Sequence, residues 1–389
     1  MAAKAGALPY EPKPFPMRGA IDADGHVCEP PSLWEDYLES KYKSRGPHLK
    51  KDAQGCEYLE SDGTPVPTTL GGKVAMFHAM GDTDVTPGPH RTWLGNMPYG
   101  GGNADERVDL MNRENLEQAL LYPTLSLCWE WVTPDPEISL ANVRAYNRWI
   151  ADLCRPTKGR LVPIAQLTIL DVPGSVKELE RAVKDGCKGA FFTMGSPSRK
   201  PHAHPDHEPI FAKAQELDVP LAIHPSFNRA EYIMPRYDVD CWDPQYVFYA
   251  DTLFFQMMQQ ALVGFFHYGT LEKFPRLKLG ILEGGSGWVA SLLDRMDALF
   301  HHPFFKPPMT EKPSFYFNRQ CFVSGDPDEP AATFIMDYVG SHCFMWGSDY
   351  PHPDHTGSWV PELLELAKKV NPEIYKQVLG ENVKRIYKL

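Results

Sequence analysis

The chain has 389 residues, enough for one large domain or two average ones, and a formal net charge of −11. That acidic balance, with no cluster of lysine or arginine, argues against a nucleic-acid partner, because phosphate binding needs a basic face. No apolar run reaches the ~18 residues of a membrane span, so no membrane partner is expected either.

Hydrophobic content of 43% and aromatic content of 12% suit a sizeable core. Residues 1–19 carry prolines, glycines and three basic residues but no apolar core segment, so they read as an N-terminal arm and not as a signal peptide. Eight cysteines are scattered singly, without a CxxC pair. They are expected to be reduced and mostly buried, in a cytoplasmic protein.

The first predicted strand, Gly19–Val27, contains Ile21-Asp22-Ala23-Asp24-Gly25-His26-Val27, where Asp22, Asp24 and His26 alternate and a regular strand would point all three to one face. A helix is predicted over Ala104–Asn115, and then apolar runs and amphipathic stretches alternate. The runs Gln118–Thr124, Leu161–Thr168, Lys188–Thr193, Val219–His224, Leu277–Glu283, Gln320–Ser324 and Cys343–Asp349 read as strands. Helices are expected over Gly174–Asp185, Pro209–Leu217, Thr252–Leu271, Gly287–Phe300, Glu329–Tyr338, Val360–Lys369 and Glu373–Tyr387. Eight apolar, non-alternating strands with helices between them imply an α/β architecture, a (β/α)8 TIM barrel over residues 20–389. A doubly wound open sheet is the alternative, but no GxGxxG follows a strand to support a nucleotide site.

Two segments break the repeat, 35–103 and 226–249. Both follow strands of the barrel, so both emerge at the carboxyl-end face, where loops of this length are expected to cap a pocket.

Polar residues gather at the ends of the predicted strands: Asp24 and His26 on the first, His224 on the fifth, Glu283 on the sixth and Asp349 on the eighth. Singly, each has a bland explanation as a core histidine or a turn cap. Together at one end of a barrel they need a cation or a proton, because burying unpaired carboxylates is costly. A set of carboxylates and imidazoles without thiolate favours Zn, Mn or Fe. Asp24, Glu283 and Asp349 put three negative charges around one divalent ion. Glu29 makes a fourth, which two ions would neutralise, with His267 and His352 as further candidates for a second site. Trp129, after the second strand, and Trp288, after Glu283, are candidate walls for a flat or apolar substrate, and Arg229 could grip a carboxylate bidentately.

With these motifs in place the chain resembles the amidohydrolase-related (amidohydrolase 2) family of metal-dependent barrel enzymes, which includes non-oxidative decarboxylases. The likeness rests on Asp22-Ala23-Asp24-Gly25-His26, His224-Pro225, Leu282-Glu283-Gly284-Gly285 and Gly347-Ser348-Asp349-Tyr350-Pro351. The family's first strand usually reads Asp-x-His-x-His and its sixth ends in Ser-His-Gly-Gly, so Asp24 and Glu283 each stand where a histidine is usual. The resemblance implies a barrel that binds one or two divalent metal ions and hydrolyses or decarboxylates a small carboxylated or aromatic compound. Asp349 and Glu283 would then handle protons. A dinuclear Fe or Mn oxygenase on the same barrel is the alternative, and a non-catalytic partner of an active paralogue a second. Relatives of this kind commonly pair, so a homo-oligomer, or a hetero-oligomer with a related chain, is expected.

Overall fold

The computed structural model describes residues 6–66, 73–82, 86–195, 197–226, 252–304, 307–326, 329–353 and 357–389. Its centre is an eight-stranded, all-parallel sheet in the order β1 (Ile21–Val27), β5 (Gln118–Pro123), β6 (Leu161–Gln166), β7 (Gly189–Thr193), β8 (Leu221–His224), β9 (Leu279–Ile281), β10 (Cys321–Gly325) and β11 (Phe344–Trp346). These are the eight strands expected from the sequence, and the fold is the (β/α)8 barrel. The strands are buried along their length, as the lack of polar alternation requires when helices cover one face and the barrel interior the other. Ile21, Tyr122, Ile164, Phe191, Ala222 and Phe322 fill the interior, and a second, larger apolar layer lies between strands and helices.

Several helices begin where side chains satisfy the exposed amides of the first turn. Asn103 caps Ala104–Glu114, Asp135 caps Pro136–Cys154 and Asp171 caps Val172–Lys184, the last two with proline in the first turn. The 19-residue helix Pro136–Cys154 was not among the expected elements. Its helical face is blurred because Asn142 and Asn147 are buried, Asn147 bonding both the Gln166 carbonyl and Glu178.

The barrel closes between β11 and β1 through residues just past the last strand. The Asp349 amide donates to the Asp24 carbonyl (2.9 Å) and the His26 amide to the Tyr350 carbonyl (2.8 Å). Gly347 is required here, because a Cβ at that position would stand 2.4 Å from the Asp24 Cβ. Asp22 fastens the same seam: it accepts from the Ser348 amide (2.9 Å) and hydroxyl (2.6 Å) and lies 3.8 Å from the buried Arg107 guanidinium. The pairing of β1 with β5 shifts register between Asp22 and Gly25, and this irregularity overturns the same-face expectation. Ile21 and Ala23 point into the barrel, Asp22 turns toward Arg107 and Ser348, and Asp24 and His26 are re-aimed into the mouth.

The N-terminal arm is tied down. Phe15 is buried against Trp359 and Tyr375, and Tyr10 donates to buried Glu114 (2.8 Å). Within the first insertion, β2 (His48–Lys51), β3 (Glu57–Ser61) and β4 (Thr64–Pro65) form a small antiparallel sheet. The insertion reaches the barrel mouth through Met80, whose amide donates to the Pro351 carbonyl, and Trp93, whose indole donates to the Glu29 carbonyl. Most of segment 226–249, Arg229 included, lies outside the described residues. The cysteines among the described residues are free and buried, and no described helix is long and apolar enough to cross a membrane.

Candidate metal centre

At the carboxyl end of the barrel, strand geometry gives way at two positions. Glu283 and Asp349, just past β9 and β11, adopt left-handed backbone conformations (φ +46° and +52°) that cost a non-glycine residue about 1 kcal/mol each. Both β9 and β11 therefore end before these residues, and both carboxylates turn toward the barrel axis.

There they meet two histidines. His26 Nδ1 lies 2.7 Å from the Pro123 carbonyl and His224 Nδ1 lies 2.9 Å from the Pro225 carbonyl. A carbonyl can only accept, so each Nδ1 carries a hydrogen and each Nε2 is left to face inward. The two Nε2 atoms stand 3.3 Å apart. His26 Nε2 is 3.0 Å from Asp349 Oδ1 and 3.4 Å from Glu283 Oε2. His224 Nε2 is 3.2 Å from Glu283 Oε2 and 3.5 Å from Asp24 Oδ1. Asp24 Oδ1 and Glu283 Oε2 are buried, and imidazole Nε2 atoms are the polar groups that face them. Two inward-facing imidazole nitrogens among buried carboxylate oxygens call for positive charge, which a proton or a divalent ion supplies, and this donor set fits Zn, Mn or Fe. Asp24, His26 and His224 form one group with metal-binding spacing; His26, Glu283, Asp349 and His352 form another that shares His26.

The electrostatics agree. Burial works against a charged His224, but the Glu283 and Asp24 carboxylates outweigh it and raise the ring to about 10. Burial also opposes the Glu283 carboxylate, yet His224 and His26 hold it well below the usual range. His352 goes the other way, pushed down by burial and by His26. Its ring stacks on His26 at 3.9 Å, Nδ1 lies 3.0 Å from Asp349 and Nε2 3.1 Å from the Thr124 hydroxyl. A proton held at His224 is what a divalent ion would displace.

Two further candidate ligands, Glu29 and His267, fall elsewhere. Glu29 is fully buried, but both its oxygens accept backbone amides, from Thr124, Leu125 and Ser126 at 2.8–3.0 Å, so it braces the turn after β5 instead of joining the cluster. His267 ends the helix Phe255–His267, exposed and packed edge-on against Tyr268. Of the two candidate substrate walls, Trp129 is fully buried and half-buried Trp288 donates to the Gly284 carbonyl (2.8 Å). Glu283 does not cap the turn that follows it. Glu329 does, accepting the Ser286 and Gly287 amides at 2.6–2.9 Å. Ser324, unremarked in the sequence, donates to Asp24 Oδ2 (2.8 Å) and accepts the Glu283 amide (2.9 Å), so it orients two candidate ligands. The only signal for it is a hydroxyl ending an apolar strand.

A further buried carboxyl sits across the mouth. Glu130 accepts from the hydroxyls of Thr168 (2.9 Å) and Thr193 (2.5 Å), at the ends of β6 and β7. Burial pushes it up to about 7, against the pull of those hydroxyls. Between about pH 4.5 and 7 the folded chain therefore holds a proton there that the unfolded chain has lost. The stabilisation is full below about pH 4.5 and is lost as pH rises through 7, by up to about 3 kcal/mol. Glu130→Gln should abolish this component. Denaturation midpoints at pH 5 and pH 8, compared with the parent, isolate it from Glu114, which burial also pushes up to about 7.

The family model described as amidohydrolase matches residues 21–389. The chain belongs to the amidohydrolase family. Among relatives of this chain, 2-amino-3-carboxymuconate-6-semialdehyde decarboxylase of Dictyostelium discoideum is 25% identical over 285 residues, 72% of this chain and 74% of that protein. Gamma-resorcylate decarboxylase of Rhodococcus jostii is 25% identical over 272 residues, 66% and 80% of the two chains. Among solved structures, an amidohydrolase of Mycobacterium avium subsp. paratuberculosis superposes with a TM-score of 0.78 at 19% identity, covering 95% and 99% of the chains. The 5-carboxyvanillate decarboxylase of Novosphingobium aromaticivorans, crystallised with manganese and 4-hydroxy-3-methoxy-5-nitrobenzoic acid, gives 0.66 at 17% identity over 97% and 98%.

Proposed function

We propose that this amidohydrolase-family chain is a metal-dependent carboxy-lyase that removes CO2 from a small carboxylated aromatic or muconate-like acid. The observation that carries the reading is that relatives matching 66% and 72% of the chain are decarboxylases of such acids. A cluster of imidazole and carboxylate oxygen donors with metal-binding spacing supports it.

Asp24, His26, His224 and Asp349 would hold the ion, with Glu283 beside them and His352 available to a second one. Bound there, a divalent ion supplies Lewis acidity, fixing a substrate carboxylate or acidifying a water. The chain's own residues do the rest. Ser324 holds Asp24, and the Pro123 and Pro225 carbonyls lock the two imidazoles in one tautomer. Loss of CO2 leaves a carbanion that must take up one proton, and Asp349, whose carboxylate lies 3.0 Å from His352 Nδ1, is placed to deliver it.

The test is CO2 release by protein reconstituted with Mn or Zn, offered 2,6-dihydroxybenzoate and 5-carboxyvanillate, beside hydrolysis of a carboxylate ester. Decarboxylation near one metal per chain is expected. Ester hydrolysis alone would overturn the lyase reading, and about two Fe or Mn per chain with oxygen consumption would favour the oxygenase.

Glu283→Gln leaves the cation short of one negative charge. It should lower metal content and turnover together, and if two ions are bound the second should be lost first. Metal stoichiometry beside turnover checks this, and no change in either would leave Glu283 without a role at the ion.

The chain is also proposed to self-associate or to pair with a related chain. Phe334 and Tyr338, one turn apart on the helix Ala332–Val339, are 80% and 66% exposed, an apolar edge of the kind that interfaces cover. Sedimentation at micromolar concentration should show a species larger than the 43.9 kDa monomer, and monomer alone would refute pairing.

A further inference from the structure

Ile21, Ile164, Phe191, Ala222 and Phe322 line the barrel interior with apolar side chains, and two phenols are buried among them. Tyr122 of β5 and Tyr387 of the helix Asn382–Tyr387 stand 265 residues apart in sequence, yet their hydroxyls meet at 3.0 Å. Among the described residues neither hydroxyl has another hydrogen-bond partner. Two phenylalanines would fill nearly the same space without taking a hydroxyl out of water, so the pair answers a need other than volume.

The two rings span the barrel from end to end. Tyr387 enters at the amino ends of the strands, against Gly189, the first residue of β7, where a Cβ would stand 2.8 Å from its ring. It meets Phe322 edge-on at 5.9 Å. Tyr122 is the register partner of His26, and its ring packs against the metal centre. It stacks on the His224 ring at 5.3 Å, with 26° between the planes, and lies 6.1 Å from the His26 ring. Phe191 meets both Tyr122 (5.6 Å) and His224 (5.9 Å) edge-on. Each imidazole is held at its Nδ1 edge by one bond to a proline carbonyl, a contact that leaves the ring free to tilt about it. The face of Tyr122 blocks that tilt.

We propose that Tyr122 is a positioning residue for the two metal-centre imidazoles, and that Tyr387 holds it in place from the opposite end of the barrel. The inference rests on the assignment of His26 and His224 as ligands. Groups around a ligand set the direction in which its donor atom points, and so tune the affinity of the site. The Pro123 and Pro225 carbonyls supply the in-plane part of that orientation, and the Tyr122 face supplies the part perpendicular to it. A satisfied polar pair in a low-dielectric interior is rigid, so the hydroxyl bond fixes the far end of the Tyr122 ring where apolar packing alone would let it shift.

The test uses protein loaded with Co(II), whose visible absorption reports ligand geometry, with metal affinity from chelator competition and urea midpoints beside it. Tyr122→Leu, which removes the flat face, should weaken metal binding about 10–100-fold and change the band shape. Tyr387→Phe deletes one oxygen remote from the ligands, and should lower affinity several-fold and shift the bands in the same sense. In the double variant, Tyr122→Phe with Tyr387→Phe, no hydroxyl is left unpaired. Its urea midpoint should therefore recover toward the parent's while affinity and spectrum stay altered, because the ring is no longer tied. Recovery of affinity together with stability would overturn the positioning role, as would parent-like affinity and spectrum in Tyr387→Phe and the double variant. If Tyr122→Leu does not fold, the phenylalanine variants decide alone. Loss of Co(II) from His224→Ala beside parent-like tyrosine variants would refute the positioning and keep the ligand. Full Co(II) content in His224→Ala, or a parent that binds none, would refute the ligand assignment and this inference with it.

Discussion

Replacing His224 with alanine should strip at least one metal ion from each chain and abolish turnover, while the far-UV circular dichroism remains that of the barrel. His224 is fully buried, its Nδ1 is committed to the Pro225 carbonyl, and its Nε2 faces His26, Asp24 and Glu283. Removing it deletes a donor that no neighbour can replace, because the other inward-facing nitrogen, of His26, comes from a different strand. Changes to groups that merely orient a ligand cost about 10–100-fold in metal affinity, so loss of a ligand should exceed that. The ring also packs on Tyr122 at 5.3 Å and Phe191 at 5.9 Å, so some stability goes with it, but the strand pairing of β8 with β7 and β9 is untouched. Elemental analysis of the variant decides the matter. Full metal content would refute the assignment of His224 as a ligand.

The largest stability loss is expected at Asp22, which lies outside the ligand set. Asp22→Ala leaves the Arg107 guanidinium buried without its carboxylate and takes the acceptor from both the amide and the hydroxyl of Ser348. Breaking a buried pair from one side costs about 3–5 kcal/mol. Because Asp22 ties β1 to the segment that delivers Asp349, metal affinity should fall as well. Asp22→Asn, which keeps an acceptor for the Ser348 amide, should lose less. Urea midpoints of parent, Asn and Ala variants give the order. Equal stability for all three would show that the seam holds without Asp22.

The eight strands were legible in the sequence because a parallel sheet buried on both faces writes itself as apolar runs. Asp24, His26, His224, Glu283 and Asp349 were legible as polar residues ending those runs, and the structure brings them together around two inward-facing imidazole nitrogens. What sequence could not supply was side-chain direction. Asp22 and Asp24 are spaced alike, but a register shift sends one to a salt bridge and the other to the site. Glu29 and Glu283 are both acids beside strand ends. The turn after β5 presents three amides to the first, while Glu283 meets imidazoles instead. His267 was a candidate for a second ion, but it ends its helix with the side chain exposed. The buried asparagines of Pro136–Cys154 hid a helix whose caps were nonetheless present.

The left-handed conformations at Glu283 and Asp349 bear on how this barrel would respond to selection in the laboratory. Both positions hold residues that the backbone there disfavours, and both add negative charge to a crowded pocket. A library enriched only for survival on heating, in the presence of chelator, should therefore accumulate glycine or asparagine at 283 and 349, yielding tougher but inert barrels. Screening with the ion present should reverse that drift, so the conditions of the screen, more than the size of the library, would determine whether a hardened variant still turns over.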